Sequence, residues 1–233
     1  LVGLALLTAY WLHALKVPKP LFSPTLFRIQ SFRVGILGNL FARIGSGAMP
    51  FLVPMLMQLH MGYSPAQAGM LMLPMALASM GTKRVATRII ERWGYRQVLT
   101  VNTSILGLQI ALFSLMSPEQ PLWLRIIQLA VFGAVNSMQF TSMNTVTLKD
   151  MDVVNASSGN AMLSMVQMLA ISLGVTVAAA LVATFESWFT PASPAHSLMA
   201  FRAAFVSIGV ITLCSAWIFW QLRPDRPERP EQP

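Results

Sequence analysis

The sequence predicts an all-α integral membrane protein with seven transmembrane helices. Of its 233 residues, 55% are hydrophobic and 10% are charged, and the mean hydropathy is +0.61. A soluble domain carries about 25% charged residues. Apolar runs of about 20 residues recur along the chain, each long enough to cross a hydrocarbon core of about 30 Å. The runs are continuous, which indicates helices rather than the alternating strands of a barrel.

The apolar runs divide the chain into four parts. Residues 1–15 lack an initiator Met and a basic n-region, so we expect a truncated transmembrane helix in a fragment of a longer protein. Residues 16–33 alternate apolar residues with cations, which predicts an amphipathic linker on the cytoplasmic surface. Residues 34–222 predict a six-helix bundle, and the proline-rich charged tail 223–233 is expected to be disordered. The bundle helices are predicted at 34–59, 65–82, 98–116, 122–148, 161–185 and 201–222.

The basic residues predict the orientation of these helices. Thirteen of the 16 Lys and Arg residues lie in one set of alternate loops. Short loops rich in Lys and Arg stay in the cytoplasm, so we expect a cytoplasmic C-terminus. The net charge of +8 is spread over loops rather than along one face, which argues against nucleic acid as a partner. The thirteen cations are Lys16, Lys19, Arg28, Arg33, Lys83, Arg84, Arg88, Arg92, Arg96, Lys149, Arg223, Arg226 and Arg229.

Residues suited to bond-making chemistry are sparse in this sequence. His13, His60 and His196 have no second His or carboxylate at helical spacing, and Cys214 is a lone cysteine in an apolar run. No metal site, Gly-rich phosphate loop or acid–base pair is therefore predicted. We expect neither an enzyme nor a bound cofactor. All eight acidic residues lie in loops, at span ends or in the tail, so any proton-relaying carboxylate is expected outside this chain.

Arg43 is the sharpest polar feature inside a predicted span. It lies nine residues into its helix, about 13 Å deep at a rise of about 1.5 Å per residue, and Asn39 precedes it by one turn on the same face. Intramembrane charge faces a bundle interior or a water-filled cavity. We expect Arg43 to attract an anionic group or to pair with a carboxylate in the missing half. The alternative is an arginine that binds neighbouring carbonyls or snorkels towards the cytoplasm.

Two further helices carry polar residues at helical spacing. Asn136 and Asn144 lie in the predicted helix 122–148, and Ser164 and Gln167 lie in the next one. We expect these side chains to line a substrate pathway, although hydrogen bonding between packed helices is the alternative. The predicted pathway residues are therefore Asn39, Arg43, Asn136, Asn144, Ser164 and Gln167.

Three motifs carry a family resemblance. The stretch Gly62–Gly69 reads Gly-Tyr-Ser-Pro-Ala-Gln-Ala-Gly and is followed by Leu73-Pro74. A cationic turn comes next, and Ala156-Ser-Ser-Gly later leads to Leu173-Gly174. Together these motifs resemble the major facilitator superfamily. More narrowly, they resemble the C-terminal half of the fourteen-helix drug:proton antiporters, including enterobacterial multidrug resistance transporters.

The cationic turn resembles the second copy of the family's cytoplasmic Asp-Arg-x-Gly-Arg/Lys motif. Glu91 stands where Asp is usual, and Thr87 stands where Gly is usual. The carboxylate can still pair with the basic residues or interact with a helix N-terminus. The resemblance implies a cytoplasmic gate turn formed by Arg84, Arg88, Glu91, Arg92, Gly94 and Arg96.

The resemblance implies one half of a proton-coupled secondary transporter of the bacterial inner membrane. Such a protein exports small amphiphilic compounds by alternating access, with the proton gradient as energy source. The implied partners are a small-molecule substrate, the lipid bilayer and the N-terminal half of the same transporter, which is expected to be a monomer when full length. Two alternatives stay open: an exporter of organic anions or metal–carboxylate complexes, which Arg43 favours, and a non-transporting membrane subunit or sensor.

Overall fold

A computed structural model describes residues 24–188 and 194–222. Within this part of the chain the regular structure is helical, without strands. The predicted helix 1–15, the first part of the linker and the tail 223–233 lie outside the described residues. The predicted count of seven helices is therefore not confirmed. The six α-helices of the described part are α1 (Gln30–His60), α2 (Pro65–Leu71), α3 (Leu73–Leu112), α4 (Leu122–Leu148), α5 (Val153–Trp188) and α6 (Pro194–Trp220), with short 3-10 helices at Pro24–Arg28 and Phe113–Leu115.

The start of α2 is fixed by a capping box. The N–H of Gln67 donates to Ser64 Oγ at 3.3 Å, and the N–H of Ser64 donates to Gln67 Oε1 at 2.9 Å. Pro65 occupies the first turn, where its missing N–H costs nothing. α2 ends after seven residues, because Pro74 at the start of α3 has no N–H to continue the helical hydrogen bonds.

α3 consists of two arms that run in opposite directions. Its 40 residues are interrupted at Gly94, whose φ of 75° and ψ of 159° are not helical and are rarely adopted by residues with a side chain. The backbone carbonyl of Ser79, before the break, accepts a 2.8 Å hydrogen bond from the Ser137 hydroxyl. Asn102, after the break, donates a 2.7 Å hydrogen bond to Gln139. Because both arms contact the same stretch of α4, the chain reverses near Gly94.

Several described helices are suited to a bilayer. α4 carries the polar residues Arg125, Asn136 and Gln139 along its 27 residues. Such side chains at membrane depth face protein or water rather than lipid. The chain is thus a multi-pass membrane protein, and the polar side chains of Arg125 and Gln139 on α4 are buried within its described part. The four segments that are long and apolar enough to span a membrane are Gln30–His60, Val85–Leu115, Ala156–Trp188 and Ser197–Trp220.

Close backbone contacts hold the bundle together. α1 packs against α5 and α6, and α3 packs against α4 and α6. Where α3 crosses α6, Gly107 and Gly209 face each other. A Cβ added at Gly107 would lie 2.8 Å from the Gly209 carbonyl oxygen, and one added at Gly209 would lie 2.7 Å from that of Gly107. Glycines at such a crossing let helix backbones approach closely, which strengthens van der Waals packing inside a membrane.

Candidate functional site: the face between α1 and α4

Arg43 is buried on α1 and contacts α4. Its exposed fraction is 7%, and the centre of its guanidinium lies 4.2 Å from the centroid of the Phe140 ring. Arg43 Nε donates to Asn39 Oδ1 at 3.0 Å, while Nη2 has no hydrogen-bond partner. No Asp or Glu among the described side chains pairs with this cation. The arrangement leaves one buried N–H donor group of Arg43 without an acceptor among the described residues.

Asn39 links Arg43 to the far end of α4. Its Nδ2 donates to the Gly35 carbonyl at 3.0 Å and lies 3.5 Å from Thr147 Oγ1. Since Asn39 Oδ1 accepts a hydrogen bond from Arg43 Nε, the amide one turn earlier on α1 restricts the orientation of the guanidinium. The one-turn spacing of Asn39 and Arg43 predicted this proximity, and the structure brings the two side chains together as hydrogen-bonded neighbours.

Asn136 lies in an open cleft between α1, α3 and α4. The cleft has a volume of about 320 Å³. Its walls are mostly apolar, and Asn136 supplies a polar side chain. Mostly apolar clefts with a few polar groups are the usual form of small-molecule sites. The lining residues are Pro50, Pro54, Met72, Met75, Ala76, Ser79, Gly133 and Asn136.

The remaining predicted pathway residues do not meet in this cleft. Gln167 Nε2 donates to Asn144 Oδ1 at 2.7 Å, which joins α5 to α4. These two amides thus match the helix-packing alternative for their spans. Ser164 is exposed on α5 and donates to the carbonyl of Asn160, one turn earlier, at 2.9 Å. No hydrogen bond joins the described side chain of Ser164 to Arg43 or Asn39.

The predicted gate turn surrounds the reversal of α3. Arg88, Glu91 and Arg92 are exposed before Gly94. After it, the guanidinium of Arg96 lies 4.4 Å from the centroid of the Trp220 ring on α6. Glu91 forms no ion pair with any side chain that the structure describes. The side chain of Arg84 lies outside the described part.

Sequence reasoning missed a buried polar network between α3 and α4. Asn102 Nδ2 donates to Gln139 Oε1 at 2.7 Å and to the Val135 carbonyl at 3.1 Å. Gln139 Nε2 donates in turn to Thr103 Oγ1 at 2.6 Å. The signal was available, because both amides lie inside apolar runs. Their pairing was not readable, since it depends on the register between two helices.

Arg125 forms a second buried polar cluster, at the start of α4. Its exposed fraction is 6%. Nη2 donates to the carbonyls of Pro118 and Gln120 at 3.0 and 2.5 Å, and Nη1 donates to the Tyr63 hydroxyl at 2.6 Å. The guanidinium thereby ties the connection before α4 to the turn before α2.

Comparison with known proteins identifies the family. The Major Facilitator Superfamily matches residues 35–233. Three similar proteins are each named "Putative multidrug resistance protein MdtD". The protein from Pectobacterium atrosepticum is 43% identical over 224 residues, that from Serratia proteamaculans is 41% identical over 225, and that from Escherichia coli (strain K12 / DH10B) is 39% identical over 226.

Each alignment covers 96% of this chain but only 47–48% of the relative. The chain therefore spans about half the length of the curated relatives it matches. The resemblance predicted from the three motifs is confirmed. With most of its length matched by the family and an all-helical fold, the chain belongs to the Major Facilitator Superfamily.

Proposed function

We propose that this chain is the C-terminal half of a secondary exporter of small amphiphilic molecules in the bacterial inner membrane. The observation that carries the proposal is the open cleft of about 320 Å³, with apolar walls and Asn136 at its side. Family membership and the printed names of the relatives support it. In such transporters the substrate site lies near the bilayer midplane, where structural repeats meet, and alternating access exposes it to each side in turn.

Proton flow would drive this export. In the sequence, every carboxylate lies in a connection, near the end of an apolar run or in the tail, so we place the proton-relaying acid in the other half of the transporter. Energy coupling then requires movement of one half against the other rather than a bound cofactor. We propose that the full-length protein acts as a monomer with both halves in one chain.

The gate turn and the orientation belong to the same proposal. Arg88, Arg92 and Arg96 lie at the end of the bundle with most of the cations, which supports a cytoplasmic location for this end and for the C-terminus. Arg96 on Trp220 holds α3 against α6 at that end. With Arg84, Glu91 and Gly94, these residues would form the turn that closes the cytoplasmic side.

A second candidate function is the export of organic anions or metal–carboxylate complexes. It is favoured by the buried Nη2 of Arg43, which has no partner, and by the absence of a paired carboxylate among the described side chains. A guanidinium with free N–H groups is suited to a carboxylate ligand. Under this second proposal, Arg43 binds the transported anion directly.

Transport by the full-length protein in everted inner-membrane vesicles tests both functions. The probes are tetraphenylphosphonium and an aromatic carboxylate, each measured before and after nigericin collapses the pH gradient. Amphiphile export predicts tetraphenylphosphonium accumulation that nigericin abolishes and that survives Arg43→Ala. Anion export predicts carboxylate accumulation that Arg43→Ala abolishes. Arg33→Ala is the matched control, since Arg33 lies on the same helix but is exposed. A membrane subunit or sensor would accumulate neither probe.

A further inference from the structure

Two prolines interrupt the hydrogen bonds of α1 at the cleft. Pro50 and Pro54 both lie inside this helix of 31 residues. A proline has no N–H, so the carbonyl four residues earlier loses its helical donor. The affected carbonyls are those of Ser46 and Pro50. Among the described residues, no side chain donates a hydrogen bond to either oxygen.

The carbonyl of Pro50 lies on the cleft side of α1. Both Pro50 and Pro54 line the cleft, and residues four apart lie one above the other on the same helix face. The oxygen that loses the N–H of residue 54 as its helical donor therefore belongs to a residue of the cleft wall. Free backbone groups at membrane depth are tolerated where they line a cavity, because water or a ligand can reach them.

The surroundings of this oxygen are apolar and poor in donors. Met72 and Met75 supply much of the opposite wall. The hydroxyl of Ser79 is already used, since it donates to the Ala76 carbonyl at 2.6 Å. The Asn136 amide is the described side chain of the lining that still offers a free polar group. An acceptor in such a setting favours a ligand with a donor head and an apolar body.

The distance from Arg43 distinguishes the Ser46 carbonyl from the Pro50 carbonyl as acceptors for a cationic donor. Ser46 lies less than one turn from Arg43, so its oxygen is in the field of that cation. Pro50 is seven residues away, about 10 Å along the helix at a rise of about 1.5 Å per residue. The Pro50 oxygen is therefore the one more available to a positively charged donor.

We propose that the Pro50 carbonyl accepts a hydrogen bond from an N–H head group of the transported molecule. This inference rests on the proposed export function and adds a recognition element to it. The site would distinguish a primary ammonium from a quaternary ammonium of the same charge, because only the first can donate. Met72 and Met75 would contact the apolar body of either molecule.

The test restores the missing helical donor. Pro54→Ala supplies an N–H that bonds to the Pro50 carbonyl and removes it from the cleft. The full-length transporter in everted vesicles is assayed with a dansyl-labelled primary alkylammonium and its N,N,N-trimethyl analogue. Because both probes carry one positive charge, the field of Arg43 acts equally on them. We expect the ratio of their KM values in the unaltered protein to favour the primary ammonium, and Pro54→Ala to reduce that preference about tenfold.

Pro65→Ala is the control. Pro65 is exposed in the first turn of α2, where a backbone N–H has no helical carbonyl as its acceptor. This variant should keep the preference. Equal KM values for the two probes in the unaltered protein, or an undiminished preference in Pro54→Ala, would overturn the inference while leaving export intact. Accumulation of neither probe by the unaltered protein would instead overturn the export function.

A Pro54→Ala protein that does not fold is replaced by a binding measurement on the purified unaltered protein. Both probes are then titrated against the intrinsic fluorescence of the protein. Tighter binding of the primary ammonium, lost when its nitrogen is acetylated and methylated to leave no N–H, supports the site. Equal affinities of all three compounds overturn it.

Discussion

The guanidinium of Arg43 lies 4.2 Å from the centroid of the Phe140 ring, so a buried cation on α1 is held against an aromatic face on α4. A cation over a ring is attracted by the negative face of the π system. Asn39 accepts a hydrogen bond from Nε of the same guanidinium, whereas the buried Nη2 has no hydrogen-bond partner. The pair therefore positions a charge and joins two helices at once.

Replacing Phe140 should weaken the bundle through this contact. Phe140→Leu removes the ring but keeps an apolar side chain, and we expect a loss of about 0.5–2 kcal/mol in the free energy of unfolding. SDS-driven unfolding of the full-length protein in mixed micelles measures it. Phe41→Leu is the control, because Phe41 has nearly the same exposed fraction (43% against 42%) and none of the described cations lies over its ring. Equal losses for both variants would contradict a role for the Arg43 contact.

The crossing of α3 and α6 should not tolerate even one added methyl group. Gly107→Ala and Gly209→Ala each place a Cβ against the opposing backbone, and we expect about 1–3 kcal/mol of destabilisation in the same unfolding assay. Gly81→Ala is the matched control, since a Cβ there meets nothing within 4 Å. Gly81→Ala should be neutral or stabilising, because alanine is the better helix former. A neutral Gly107→Ala would show that the two helices can separate without loss.

The network of Asn102, Gln139 and Thr103 should show measurable coupling. Gln139→Leu removes both bonds made by this amide, and we expect a coupling energy with Asn102→Leu of about 0.6–1.7 kcal/mol in a double-mutant cycle. Gln97→Leu serves as the control, since Gln97 is exposed on α3. Additive losses for Gln139→Leu and Asn102→Leu would mean that the two amides contribute independently.

Arg125 should not be replaceable by lysine. Its fork donates to two carbonyls and to Tyr63 at once, whereas a single ammonium cannot reach all three acceptors. We expect Arg125→Lys to destabilise by about 1–3 kcal/mol and to speed protease cleavage at residues 116–121 in intact spheroplasts. Tyr63→Phe removes one acceptor only, so its effect should be smaller. Equal cleavage rates in Arg125→Lys and the unaltered protein would contradict the inference that Arg125 holds the connection before α4 in place.

The proposed orientation predicts which residues an impermeant reagent can label. In a full-length Cys214→Ser background, Glu119→Cys should react with a membrane-impermeant maleimide on intact spheroplasts. Asp150→Cys should react only after permeabilisation, because it lies at the end of the bundle with most of the cations. Both positions are in connections between helices rather than within the apolar spans. The reverse labelling pattern would contradict the proposed orientation and indicate a periplasmic C-terminus.

The sequence could predict most of the helical segments but not their lengths. An apolar run marks only the part of a helix that lies in the hydrocarbon core, whereas the helix itself can extend beyond that core. In the structure α1 begins at Gln30 rather than at the predicted residue 34, and α5 begins at Val153 rather than at 161. The sequence predicted a turn between the helices 65–82 and 98–116, but in the structure helix continues on both sides of Gly94, so the turn is much shorter than predicted.

The candidate site was predictable within one helix and unpredictable between helices. Asn39 and Arg43 are one turn apart, so sequence spacing alone placed them together. The contacts of Arg43 with Phe140 and of Asn144 with Gln167 depend on how neighbouring helices are rotated and shifted. No periodicity in one chain segment carries that information.

The capping box of Ser64 and Gln67 bears on biosynthesis. The turn between α1 and α2 is only a few residues long, and most of its backbone N–H groups are bonded. Met61 and Tyr63 both donate to the Met57 carbonyl at 3.2 Å, and Ser64 and Gln67 form the capping box. Unsatisfied backbone groups cost several kcal/mol each in hydrocarbon. Because most N–H groups of this turn are already bonded, fewer of them have to lose water when the end of α1 is carried across the bilayer during insertion.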